Sequence, residues 1–186
     1  MLSSKFKILS FKKNGFTLFE LLVVMSIIVI LSGMVLANYR TGQRRLALQR
    51  AVNKVGQDIR RMQTMAGNGE EGCKTAGNFD VDYQYGYGID LNTGNNKSYT
   101  LFADCNGDKT YNSGTDKIIE NANIETYIEI GNLVPGPLVI VFVPPDPSVY
   151  INGGGANLAT ITFRIEQEIS RTRNVIIHES GLIDVD

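Results

Sequence analysis

Hydrophobic and polar positions fall into three successive patterns along the chain. From Phe16 to Ala37 the order is FTLFELLVVMSIIVILSGMVLA, apolar on every side, with Glu20 as its one charge. About 20 residues at ~1.5 Å rise span ~30 Å, so this stretch is long enough to cross a bilayer core as a helix. Beyond Asn38 the composition becomes mixed, yet a helical period persists. Leu48, Val52, Val55, Ile59, Met62 and Ala66 follow one another at steps of four or three residues and form one stripe. Arg45, Arg50, Lys54, Asp58, Arg60 and Arg61 lie mostly off it. No proline intervenes, and the first strong stop is Gly67-Asn68-Gly69. The pattern predicts one helix from Phe16 to about Ala66, ~75 Å long at ~1.5 Å per residue. The stripe covers less than about three heptads, which favours docking on the chain's own sheet over a coiled coil.

Past residue 70 the period changes to two, with turn residues between short runs. The expected strands are Tyr85–Leu91, Ser98–Ala103, Ile118–Glu120 with Ile124–Ile130, Leu138–Val143, Ala159–Arg164, Asn174–His178 and Leu182–Val185. Asn92 to Asn96 and Glu179-Ser180-Gly181 read as hairpin turns, and Gly153-Gly154-Gly155 as a loop. Pro135, Pro137, Pro144, Pro145 and Pro147 bound the Leu138–Val143 run. The fold class expected is α+β: one long N-terminal helix packed on a C-terminal antiparallel β domain. The expected divisions are 1–15, 16–37, 38–66 and 67–186.

The chain of 186 residues is long enough for one ordinary domain plus an appendage. Its charge is near zero only on average. The first 15 residues hold Lys5, Lys7, Lys12 and Lys13 and no acid; without them, basic residues fall from 18 to 14 against 19 acids, a net of −5. A mildly acidic product argues against broad attraction to nucleic acid. Arg40, Arg44, Arg45 and Arg50 are a short basic exception. Lysines before the apolar span and arginines after it leave its orientation open by charge alone. The cysteines, Cys73 and Cys105, both follow the apolar span. In an exported domain they make a candidate disulfide, worth about 3–4 kcal/mol in the chain-entropy model. The alternative is two unrelated thiols.

Glu20 is the residue that needs a reason. A carboxylate in an apolar span costs several kcal/mol unless it is shallow, protonated or paired. One reading places it at headgroup depth. The other gives it a cation: cleavage after Gly15 would create an α-amino group on Phe16, which a neighbouring copy could present to Glu20.

KKNGFTLFELLVVMSIIVIL resembles the class III signal and N-terminal helix of type IV prepilins and type II secretion pseudopilins. By this resemblance Lys12, Lys13 and Gly15 form the basic leader and the glycine before the cut. Phe16 is the first mature residue, N-methylated in that family, and Thr17, Leu18 and Glu20 are assembly positions. Many major pilins have a proline well along this helix; here Ala37 is near that point, and Gly33 is the only helix-weakening residue nearby. GYGIDL, SYTLFADCNGDKTY and the last hairpin are similar to the GspH/FimT-type minor pseudopilin domain. The resemblance implies a prepilin peptidase and other pilin or pseudopilin subunits as partners. It also implies a single-pass protein of the cytoplasmic membrane, with the domain outside the cytoplasm, later part of a periplasmic or surface fibre.

Other chemistry is sparse. Asp104, Asn106 and Asp108 alternate, with Asp116 further on, a spacing of oxygen ligands that suits Ca²⁺. The EF-hand glycine and glutamate positions hold Lys109 and Thr115, so a polar turn about Asn106-Gly107 competes with a calcium site. No other cofactor is expected. His178 is the only histidine, and no nucleophile–base pair, phosphate loop or zinc spacing is recognisable, so no enzyme is expected. Tyr83, Tyr85 and Tyr87 would share a strand face, either packed or touching a ligand. The expected function is a structural or assembly subunit of a pilus or pseudopilus. The alternative is a minor pilin binding DNA or a surface ligand, with Arg164, Arg171 and Arg173 offset by Glu166, Glu168, Glu179, Asp184 and Asp186.

Overall fold

A computed structural model describes residues 15–69, 73, 86–92, 94–144 and 148–186, without the side chains of residues 36–38. The leader lysines, Tyr83, Tyr85, Pro145 and Pro147 lie outside the described residues. The chain resolves into two compact units, Met1–Gly42 and Gln43–Asp186. Helix α1 (Leu18–Gly67) contributes to both.

In the first unit the large apolar side chains from Phe16 to Val35 are exposed all round the helix. An apolar surface on every face has no inward side, so it is covered only by lipid or other chains. Ser26 removes one polar group from that surface by donating its hydroxyl to the Val23 carbonyl at 2.7 Å.

The second unit is an antiparallel α+β domain. Its strands are β1 (Gly86–Leu91), β2 (Ser98–Asp104), β3 (Lys117–Asn123), β4 (Ile128–Val134), β5 (Leu138–Val143), β6 (Ser148–Ile151), β7 (Leu158–Ile165), β8 (Glu168–His178) and β9 (Ile183–Val185). One sheet has the order β3-β2-β1-β5-β6 and the other β4-β7-β8-β9. Strand β7 shows the alternation most plainly: Ala159, Ile161, Phe163 and Ile165 point inward and the residues between them outward. Gly88 pairs opposite Phe102, and a Cβ there would lie 2.8 Å from the Phe102 ring, so only glycine leaves room for that ring over β1.

The predicted stripe of α1, Leu48, Val52, Val55, Ile59, Met62 and Ala66, is buried, joined by Ala47 and Ala51, in a core shared with both sheets. Polar ties surround it. Arg60 donates to the Ile183 carbonyl of β9 at 3.0 Å and Gln63 to the Gly181 carbonyl, in the turn before β9, at 3.2 Å. The Tyr99 hydroxyl on β2 donates to Asp58, and Arg61 pairs with Glu120 on β3 at 2.9 Å. At Gly56 a Cβ would stand 2.9 Å from a Val185 methyl, so the missing side chain lets β9 press against the helix.

Three strand expectations need correction. The Ile124–Ile130 run is not one strand: Glu125 to Ile128 closes a turn with Tyr127 at positive φ, and β4 starts only at Ile128 and runs to Val134. The alternating run missed the turn because Glu125, Thr126 and Tyr127 carry no glycine, proline or asparagine. Strand β6 was not anticipated, since SVYI between prolines and glycines is too short to display a period. Strand β8 begins at Glu168 and not Asn174; the one apolar residue of EISRTR, Ile169, is exposed, so no inward face marks it.

Candidate processing and assembly site

Gly15, Phe16 and Thr17 precede α1 and are not helical. Thr17 is the cap. Its Oγ1 accepts the Glu20 backbone N–H at 3.2 Å, and its carbonyl accepts Leu21 N–H at 3.1 Å. Thr17-Leu18-Phe19-Glu20 therefore has the capping-box order, with a threonine cap and a glutamate three residues on. This role of Thr17 was not read from the sequence, although the T-x-x-E spacing before an apolar run is its signal. It also explains why the helix starts at Leu18 and not at Phe16. Glu20 in the first turn places its carboxylate near the positive end of the helix dipole. Among the described residues no cation forms an ion pair with Glu20. Phe16 is 81% exposed.

The other candidate residues form a second cluster at the end of β2. Cys73 and Cys105 are bonded, S–S 2.05 Å, and join the chain beyond α1 to the loop after β2. Asp104, fully buried, accepts Gly107 N–H at 2.7 Å and Lys109 N–H at 2.9 Å. Asp116 accepts Cys105 N–H at 3.1 Å and Asn112 N–H at 2.7 Å. Asp108 accepts Thr110 N–H at 2.9 Å and the Asn112 amide at 2.6 Å. Asn106 donates to Asp108 at 2.9 Å and Asp104 feels the charges of Asp108 and Asp116, but among the described residues no three acidic, cysteine or histidine side chains converge on a metal position. Each carboxylate also braces the turn through backbone N–H groups. Burial raises the Asp104 pKa above the ordinary value, against the two N–H donors that lower it. For Asp108 the slight burial acts upward, but hydrogen bonds from Thr110, Asn106 and Asn112 outweigh it and hold the carboxyl below the ordinary value.

His178 lies beside β9, with Nε2 3.3 Å from Asp184 Oδ2. Tyr87 is buried, on the packing side of the two readings for that aromatic set. Of the arginines considered for a nucleic-acid partner, Arg164 pairs with Glu129 at 2.6 Å and Arg171 with Glu168 at 2.8 Å.

Residues 10–36 match the family model described as the prokaryotic N-terminal methylation motif. The chain carries a type IV pilin-like prepilin signal. The match contains Lys12, Lys13, Gly15, Phe16, Thr17, Leu18 and Glu20, the capped helix start and the last part of the basic leader. α1 within it is also long and apolar enough to cross a membrane. No curated protein and no solved structure matches the chain.

Proposed function

We propose that this protein is a minor pilin or pseudopilin of the GspH/FimT type, a structural subunit rather than an enzyme. It waits in the cytoplasmic membrane through residues 16–37, is cut after Gly15 by a prepilin peptidase and methylated on Phe16, and then joins a pilus or pseudopilus. Assembly proceeds by helix packing, with Glu20 of one copy meeting the Phe16 amine of the next. The supporting observation is the methylation motif on a helix start whose apolar side chains are exposed on every face. Such a surface is stable in lipid and equally in a bundle of copies of itself. Pairing removes the cost of the lone carboxylate and fixes the axial step between subunits.

The test separates processing from assembly. Glu20→Val is expected to be cut and methylated like the parent, read by mass spectrometry of a peptide that starts at Phe16, while incorporation into sheared fibres is lost. Normal incorporation of the Glu20→Val protein would remove the pairing, and an uncut leader in cells that process other prepilins would remove the whole reading.

A further inference from the structure

The end of the Gln43–Asp186 unit at which α1 enters exposes large apolar side chains. Leu46, Tyr127 and Ile169 are 51%, 51% and 67% exposed there. Tyr127 has φ 71°, an unfavourable region for a residue with a side chain. Its carbonyl accepts Glu166 N–H at 3.0 Å, so the β7–β8 hairpin holds the ring at the surface. Arg44 lies over that ring, 5.6 Å from its centroid. The β7–β8 register shifts between Arg164 and Ile165, which throws Ile169, Ser170 and Arg171 out of the ladder. Between this bulge and α1 lies a groove of about 410 Å³ whose lining includes Arg45, Leu46, Ser170, Arg171 and Arg173.

The charges at this end do not balance. Glu166 is held by Lys97 and Glu168 by Arg171. Arg45 and Arg173 have no acidic partner among the described residues. Exposed apolar residues beside uncompensated arginines are the pattern of a surface that lies in a lipid headgroup layer. The covalent tether is short as well. Ala37 and Gln43 are six positions apart in the sequence, a reach of at most about 22 Å at ~3.3–3.6 Å per residue.

We propose that this face rests on an anionic bilayer surface while the subunit awaits assembly. Ile169, Leu46 and Tyr127 sit at the headgroup boundary, where aromatic side chains are favoured, and Arg45 and Arg173 contact lipid phosphates. The inference rests on residues 16–37 spanning the membrane.

The chain contains no tryptophan, so Ile169→Trp in the full chain introduces a unique fluorophore at an exposed site. In phosphatidylglycerol nanodiscs its emission is expected to shift to the blue and to be quenched by brominated acyl chains, more than in phosphatidylcholine discs. Adding Arg45→Gln or Arg173→Gln lowers the docked-to-undocked ratio about fivefold each, the weight of one arginine at an anionic surface. Amide exchange on the unsubstituted chain gives an independent reading: residues 169–171 exchange more slowly in phosphatidylglycerol than in phosphatidylcholine discs. A chain that integrates into both discs with no dependence on lipid charge overturns this proposal and leaves the spanning helix intact. A chain that does not enter discs at all overturns both. A salt-sensitive shift of duplex DNA, lost with Arg45→Gln and Arg173→Gln while lipid charge has no effect, would make the face a nucleic-acid surface instead.

Discussion

The two parts of α1 obey different rules. Up to Val35 its large apolar side chains are exposed on all sides. From Ala47 on, the apolar side chains that matter form a single stripe, and Val52, Ile59 and Met62 have no exposed surface left. Full burial of such a side chain is worth about 1.5–3 kcal/mol, so the second part obtains its stability within the chain. The first part has to obtain it from lipid or from other subunits. The difference lies in where the partner comes from.

The sharpest way to break the comparison is to place the same charge in each part. Ile59→Asp buries an unpaired carboxylate in the core, a cost of several kcal/mol against a total stability of about 5–15, and is expected to abolish cooperative unfolding of the domain. Ile28→Asp should leave that unfolding transition where it is and impair membrane integration, at about 2.5–3.5 kcal/mol for a charge at mid-helix. A similar outcome for the two variants in both assays would refute the division.

A smaller effect follows from the Cys73–Cys105 bond, which acts on the second unit alone. Replacing both cysteines by serine is expected to lower domain stability by about 3–4 kcal/mol in denaturant titration, without changing recovery of the protein in membranes. Smaller again is Tyr99→Phe, which leaves Asp58 without its buried donor. It should cost about 1–2 kcal/mol and shows how far polar ties, and not the stripe alone, hold α1 to β2.

The smallest effect is a pH dependence. The folded-state pKa of Asp108 is depressed, so it contributes stability above its unfolded value of about 3.9, and that contribution is lost as pH falls through the lower folded value. Asp108→Asn should therefore flatten the acid limb of the stability curve below about pH 4 relative to the parent. Asp104 acts in the opposite sense. Its raised pKa makes its charged form a burden at neutral pH that is relieved on acidification, so the Asp108→Asn difference has to be read against the parent at each pH.

The long elements were legible because their periods were long. The stripe from Leu48 to Ala66 repeats often enough to identify both the helix and its buried face. Leu138–Val143 was legible from its flanking prolines and came out with the predicted bounds. The turn at Glu125–Tyr127 was not, because its shape is imposed by the strands on either side and not by turn-forming residues. The start of β8 was hidden for a related reason. EISRTR pairs beside the buried Phe163 and Ile165 of β7, but its own side chains are exposed or half-buried, so neither face reads as apolar. At the helix start, the resemblance marks Gly15 and Phe16 and the lone charge marks Glu20, while the cap by Thr17 is carried by the T-x-x-E spacing. The acidic loop showed the limit of spacing arguments. Alternating oxygens suit a cation and a braced turn equally, and the spacing alone does not show which backbone N–H groups face Asp104 and Asp116.

Contacts between α1 and β9 also impose a timetable on biosynthesis. Arg60 reaches Ile183 across 123 positions of sequence. At about 5–20 residues per second, some 6–25 s separate translation of the one from that of the other. The apolar segment emerges from the ribosome early in that interval, while the stripe behind it still lacks its final strand. Anchoring comes first and closure of the domain last, so a chain truncated even a few residues early would be correctly moored and permanently unfinished.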